Sequence, residues 1–241
     1  MSLTSGTLII AHRGASAKEP ENTLRAFRRA FEEGADGVEV DVRASSDGVL
    51  VVIHDSSVDR TTNGRGWVRA MKFSELRILD AGKGERIPTL REALELASSY
   101  GGLVEVDVKV RGFEREIIEE VKRVGMLDNV FFTSLSLLAL REIKRHEPRA
   151  RIGPLLLTSV LAEVDPVELA LKLDASFLHL CDPLDVTEEL VERAHSSGLM
   201  VFAGTTDDLA LLRRLVAMGV NAITPNDPSL GVRAIREALG V

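Results

Sequence analysis

Three groups in this chain are of residue types that do chemistry: His12-Arg13, Glu39 with Asp41, and His54-Asp55. Each ends a short apolar run, respectively Leu8-Ile9-Ile10-Ala11, Gly37-Val38 and Val49-Leu50-Val51-Val52-Ile53. Runs of this kind read as strands, and strand ends are where α/β proteins place reactive groups. Glu39 and Asp41 are two apart, so on a strand both carboxylates face one side and can share a hard divalent cation. Turned inward without a cation, they would need shifted pKa values or cationic partners. Imidazoles titrate near neutral pH, so His12 and His54 can act as general base and general acid. The planar fork of Arg13 suits phosphate oxygens. Together the set suits metal-assisted phosphodiester chemistry.

The elements that must position these groups follow from the alternation of short apolar runs with amphipathic segments. Eight strands are expected near residues 7–11, 37–42, 103–109, 130–134, 151–156, 177–181, 199–203 and 220–224. Helices are expected near 22–33, 89–98, 113–124, 136–146, 166–173, 187–197, 207–218 and 228–239. Eight such units predict a (β/α)8 TIM barrel in one domain over 1–241, with an insertion at about 43–88 after the second strand. The run 49–53 follows that strand after only Ser45-Ser46-Asp47-Gly48, too short a link for a parallel crossover, so it returns antiparallel and brings His54 beside Glu39 and Asp41. Residues 55–88, polar and glycine-bearing, form a candidate lid over the barrel mouth, which Trp67 helps to pack.

Composition narrows the possibilities. The 241 residues are 45% hydrophobic, enough for one large core, and the net charge of −7 without a long basic run argues against a nucleic-acid partner. Small molecules are the expected partners. Cys181 is the only cysteine, and neither a secretory leader nor a transmembrane run is evident, so a cytoplasmic location is expected. The absence of glutamine beside many Glu and Arg is a balance seen in proteins from hot environments.

The chain resembles the glycerophosphodiester phosphodiesterase family over nearly its whole length. The resemblance rests on His12-Arg13-Gly14, Pro20-Glu21-Asn22-Thr23, Glu39-Val40-Asp41-Val42, Val52-Ile53-His54-Asp55, Asp59-Arg60-Thr61-Thr62-Asn63-Gly64, Leu79-Asp80-Ala81-Gly82, Ile87-Pro88-Thr89-Leu90, the strand ending in Lys109, and Gly219-Val220-Asn221-Ala222-Ile223-Thr224. It implies hydrolysis of glycerophosphodiesters to glycerol 3-phosphate and an alcohol, with one divalent cation, Mg²⁺ or Ca²⁺, and Mn²⁺ as a further option. By that resemblance His12 and His54 form the acid/base pair, Arg13 and Lys109 bind phosphate, and Glu39 and Asp41 ligate metal.

Three departures from the family pattern bear on the site. Asp107 stands where the family usually has Glu; it is the expected third ligand, with Glu105 on the same strand face as the alternative. The family's Trp that walls the glycerol pocket is missing from Val201-Phe202-Ala203-Gly204-Thr205, where Ala203 is expected to leave space. Pro225 is an extra residue in Thr224-Pro225-Asn226-Asp227-Pro228, so a different loop is expected there. Two other functions stay open: a lysophospholipase D-type activity on the same scaffold, and a non-catalytic barrel that binds a phosphate metabolite.

Structural roles compete for several of these residues. Lys109 can be a counter-ion to Glu105 and Asp107, and Asn22 reads as the N-cap of a helix beginning at Thr23. His179, on one strand face with Phe177 and Cys181, reads as a hydrogen-bonded core histidine. His146 and His195 fall near helix C-termini, which accounts for them.

Overall fold

Every apolar run forms a strand. The computed structural model describes residues 6–240, with β1 at Leu8–Ala11, β2 at Gly37–Ala44, β3 at Leu50–Val52, β4 at Leu103–Val108 and β5 at Val130–Ser134. Then come β6 at Arg151–Leu156, β7 at Phe177–Leu180, β8 at Met200–Ala203 and β9 at Ala222–Ile223. The expectation of no secretory leader rests partly on residues 1–5, outside the described range. All strands but β3 pair in parallel with their neighbours, and β1 closes the ring by pairing with both β2 and β9. The result is a closed (β/α)8 barrel, with the insertion carried after β2.

The surrounding helices are α1 (Leu24–Glu32), α2 (Phe73–Arg77), α3 (Leu90–Ser99), α4 (Glu114–Val124), α5 (Leu137–His146), α6 (Thr158–Leu161), α7 (Pro166–Lys172), α8 (Glu188–Ser196), α9 (Leu209–Ala217) and α10 (Pro228–Leu239). Short polar residues cap free N–H groups at the starts of most of these helices, among them Thr89, Ser136, Asp165, Thr187, Asp208 and Asp227. The cap of α1 corrects the sequence reading. Thr23 accepts from the Ala26 N–H, and Asn22, with φ at 57°, is turned away from the helix.

Alternation divides the core into two shells. Outward residues such as Val38, Val40, Val104, Val106 and Phe132 pack under the helices, while Ile10, Phe131, Phe177, Phe202 and Ala222 fill the lower barrel interior. Phe177 meets Phe131 edge-on at 5.5 Å and Phe202 at 4.5 Å. Gly153 makes room for this plug, since a Cβ there would lie 2.4 Å from the Phe177 ring. Above the plug the inward positions turn polar. The β2–β4 register sets Glu39 beside Glu105 and Asp41 beside Asp107.

The hairpin forms as expected, with Val42 opposite Val52 and Ala44 opposite Leu50. The segment beyond it has a small core of its own, in which Val51, Ile53, Val58, Val68, Leu76, Ala81 and Ile87 are buried together. Two expectations change here. Trp67 is 57% exposed and contributes little packing, and no residue of 55–88 lines the cavity at the barrel mouth. The segment is a packed flank of the site, not a cover over it.

Phe177→Ala should cost about 3–5 kcal/mol, the range for emptying a buried aromatic site. Urea unfolding followed by circular dichroism checks this, and a loss below about 1 kcal/mol would show that the plug relaxes around the gap.

Candidate active site

The upper barrel interior concentrates four carboxylates on two adjacent strands. Oxygens of Glu39, Asp41 and Asp107 lie within 4.8 Å of one another, and all three residues are buried. Glu105 is engaged elsewhere, its Oε1 lying 2.7 Å from His179 Nδ1 across the barrel. The grouping therefore includes Asp107 and leaves Glu105 out. Asp107 Oδ1 is buried without a hydrogen-bond partner, an acceptor left over for a cation, and so is Glu105 Oε2, which lies outside the grouping.

Cations border this cluster. Lys109 Nζ is 3.1 Å from Asp41 Oδ1 and pairs closely with Asp107. Arg13 sits in the left-handed region at φ 56°, which lets its backbone N–H donate to Glu39 Oε2 at 3.0 Å. Its guanidinium donates to Glu21 Oε1 at 2.9 Å and places Nε 3.2 Å from Asp41 Oδ2, out of hydrogen-bonding alignment. Gly14 completes the turn, because a Cβ there would lie 2.7 Å from the Ala26 carbonyl carbon.

These neighbours set the protonation of the acids. Burial, then the charges of Asp41 and Asp107, raises Glu39 well above the usual carboxylate range. Burial likewise raises Asp107 to about 6, against the pull of Lys109. Burial opposes ionisation of Asp41 as well, but Lys109 and Arg13 together hold it below its ordinary value. Burial would lower Lys109; its two aspartates outweigh that and hold it above. With all three acids ionised, Glu39, Asp41 and Asp107 carry more negative charge than Lys109 and Arg13 offset, a condition that favours either a proton on Glu39 or a divalent ion.

The two histidines flank the cluster with different partners. His12 Nδ1 lies 2.8 Å from Asn226 Oδ1, and burial followed by the Arg13 charge lowers its pKa. His54 Nδ1 lies 2.7 Å from Asp55 Oδ1, and its carbonyl accepts from Arg43 Nε at 2.8 Å. Arg60 grips Asp55 and Glu21 together, with Nε to Asp55 Oδ2 at 2.7 Å and Nη1 to Glu21 Oε2 at 2.7 Å. Asn22 faces the site: its Nδ2 donates to Asp41 Oδ2 at 2.7 Å and its Oδ1 accepts from the Asp41 N–H at 3.3 Å.

A cavity of about 380 Å³ joins these groups, lined by His12, Arg13, Glu39, Asp41, His54, Asp107 and Lys109. His179 and Cys181 reach its floor; burial opposes protonation of His179, but Glu105 keeps its pKa above the ordinary value, while burial raises Cys181 to about 11. The missing aromatic wall is corrected by one residue. Ala203 is buried with the outer core, and Gly204 lines the cavity. A Cβ at Gly204 would lie 2.5 Å from Thr224 Cβ, so Thr224 occupies the space. The loop at Pro225 carries its carbonyl to the His12 N–H at 3.0 Å.

Sequence reasoning missed Glu21, Arg43, Arg60, Asp207 and Asn226. Glu21 and Arg60 belong to the quoted motifs, and their opposite charges were the available signal; Arg43 and Asp207 carry none.

The chain matches the model of the glycerophosphoryl diester phosphodiesterase family over residues 12–230. A glycerophosphodiester phosphodiesterase of Caldanaerobacter subterraneus subsp. tengcongensis is 39% identical over 96% of this chain and 98% of its own. The glycerophosphodiester phosphodiesterase structure from Agrobacterium tumefaciens superposes with a TM-score of 0.85 at 31% identity, covering 94% of this chain and 99% of that one. An Oleispira antarctica phosphodiesterase in complex with the product sn-glycerol-3-phosphate gives a TM-score of 0.83 at 31% identity, with 95% and 97% covered. With a family match that spans most of the barrel and every strand-end group described above, this chain belongs to the glycerophosphoryl diester phosphodiesterase family.

Proposed function

We propose that this chain hydrolyses glycerophosphodiesters to glycerol 3-phosphate and an alcohol, using one divalent cation and the histidines His12 and His54. The observation that carries this reading is the convergence of Glu39, Asp41 and Asp107 in one cavity with two histidines held by separate partners. Family membership supports the reaction class.

The three carboxylates would hold the cation, Mg²⁺ or Ca²⁺ by the family resemblance and Mn²⁺ as an alternative. When bound it supplies Lewis-acid stabilisation of charge on the phosphoryl oxygens. Arg13 and Lys109 line the same cavity and bind the phosphate, offsetting its negative charge. His12 and His54 move the protons, one taken from the attacking oxygen and one given to the leaving oxygen. Asn22 and Glu21 keep Asp41 and Arg13 oriented.

A cytoplasmic location is part of the same reading, supported by the lone thiol of Cys181. Among the described residues no helix is long and apolar enough to cross a membrane. The non-catalytic reading depended on Asp107 failing as a ligand, and the proximity of Asp107 to Glu39 and Asp41 weighs against it. A lysophospholipase D-type activity keeps one observation in its favour. Leu135 and Leu157 line the cavity and are 55% and 43% exposed, an apolar margin on which an acyl chain can lie.

His12→Ala and His54→Ala should each lower turnover of glycerophosphocholine by about a hundredfold or more with the fold intact by circular dichroism; near wild-type rates in either would end its assigned role. Relative rates on glycerophosphocholine and lysophosphatidylcholine decide the second activity, which undetectable lysolipid turnover would exclude. Proton competition gives a third expectation. Because Asp107 titrates at about 6, above its unfolded value, the metal-free fold binds a proton that the unfolded chain releases, so this group's contribution to stability falls as pH rises from about 4 to about 6. Cation affinity should run the other way, weakening roughly fourfold at pH 5.5 from Asp107 alone. Titration calorimetry at pH 7.5 and 5.5 checks this; equal affinities would remove Asp107 from the ligand set.

A further inference from the structure

His12 is held by a chain of two side chains from different loops. Its Nδ1 lies 2.8 Å from Asn226 Oδ1, in the loop between β9 and α10. The other end of the Asn226 amide, Nδ2, donates to Asp207 Oδ2 at 2.8 Å, in the loop between β8 and α9. Asp207 Oδ1 also accepts the backbone N–H groups of Asn226 at 2.8 Å and Asp227 at 3.0 Å.

The direction of each bond follows from which groups can donate. An ionised carboxylate only accepts, so Asp207 must face the NH₂ of Asn226 and not its oxygen. That turns Asn226 Oδ1 toward His12, where the Ser16 hydroxyl also reaches it at 3.1 Å. An amide oxygen cannot donate, so His12 Nδ1 must carry the hydrogen. Neutral imidazole then has its lone pair on Nε2. His54 has no such amide link; its Nδ1 meets the Asp55 carboxylate directly at 2.7 Å.

We infer that Asp207 is a positioning residue: acting through Asn226, it holds His12 as the Nδ1–H tautomer, so that Nε2 is the proton acceptor of the reaction. The inference rests on the hydrolase reading for its chemical meaning, and on the Asp207–Asn226–His12 geometry for its physical content. In the step it serves, the attacking oxygen forms its bond to phosphorus while its proton passes to His12 Nε2. The bond from phosphorus to the leaving oxygen breaks, and that oxygen takes a proton from His54.

An exchange of the two side chains tests this. In Asp207→Asn the backbone N–H groups of residues 226 and 227 still find an oxygen, so the new NH₂ faces Asn226. Two NH₂ groups cannot bond, so the Asn226 amide turns and presents its own NH₂ to His12. Nδ1 must then accept, and the proton moves to Nε2. Adding Asn226→Asp restores an acceptor toward both neighbours, and Nδ1–H returns.

The measurement is the long-range ¹H–¹⁵N spectrum of the histidine rings in the full chain, with turnover of glycerophosphocholine alongside it. Wild type should show Nδ1–H for His12. Asp207→Asn should show Nε2–H and a kcat lower by about a hundredfold, with KM within about twofold. The double variant, read at alkaline pH because its new carboxylate also favours the charged ring, should recover the wild-type tautomer and most of the rate. Nδ1–H persisting in Asp207→Asn, or a double variant locked in the Nε2–H form, would overturn the inference. The tautomer exchange in a protein without activity on glycerophosphocholine would support the positioning role and count against the hydrolase reading alone.

Discussion

Four carboxylates inside one barrel constrain everything around them. Glu39, Asp41, Glu105 and Asp107 project inward from two paired strands, each 5% exposed or less. Like charges so placed repel one another, and burial removes the water that would soften the repulsion. The structure answers with Lys109 and Arg13 against Asp41 and with His179 against Glu105. These partners leave Asp107 Oδ1 and Glu105 Oε2 unpaired and Glu39 pushed toward its neutral form. The buried grouping of Glu39, Asp41 and Asp107 is compatible with a divalent cation, and Lys109 and Arg13 line the same cavity.

The histidines extend the same logic outward. Both stand at the edge of the charged cluster, and each is oriented by its other nitrogen. His54 is backed by Asp55, which Arg60 ties to Glu21 and so to Arg13. His12 is backed by an amide, which keeps charge away from a ring already beside Arg13. The two rings thus differ in the partner of Nδ1, an amide oxygen for His12 and a carboxylate for His54, without any change of residue type. The lower aromatic plug of Phe131, Phe177 and Phe202 gives this polar layer a rigid floor.

Much of this was legible in the chain, for reasons that differ by residue. Parallel strands buried on both faces leave unbroken apolar runs, and short polar caps mark the helices, so the barrel and the antiparallel return of β3 could be read directly. Strand-end His, Glu and Asp stood out because their types are costly inside a barrel unless they act. Asn22 was misread because its neighbour Thr23 is the actual cap, and a left-handed residue leaves no trace in sequence pattern. Ala203 was taken for Gly204 because only the strand's inward phase separates adjacent positions. The link of Asp207 to His12 lay beyond sequence reasoning, since barrel closure alone brings the loops after β8 and β9 to the end of β1.

The most direct test of this account is release of glycerol 3-phosphate from glycerophosphocholine by protein stripped with EDTA, before and after addition of Mg²⁺, Ca²⁺ or Mn²⁺. The account predicts negligible release from stripped protein and recovery with at least one of the three ions. Undiminished release from protein shown to be metal-free would contradict it, because the buried carboxylates would then have to be reconciled with catalysis by the histidines and cations alone.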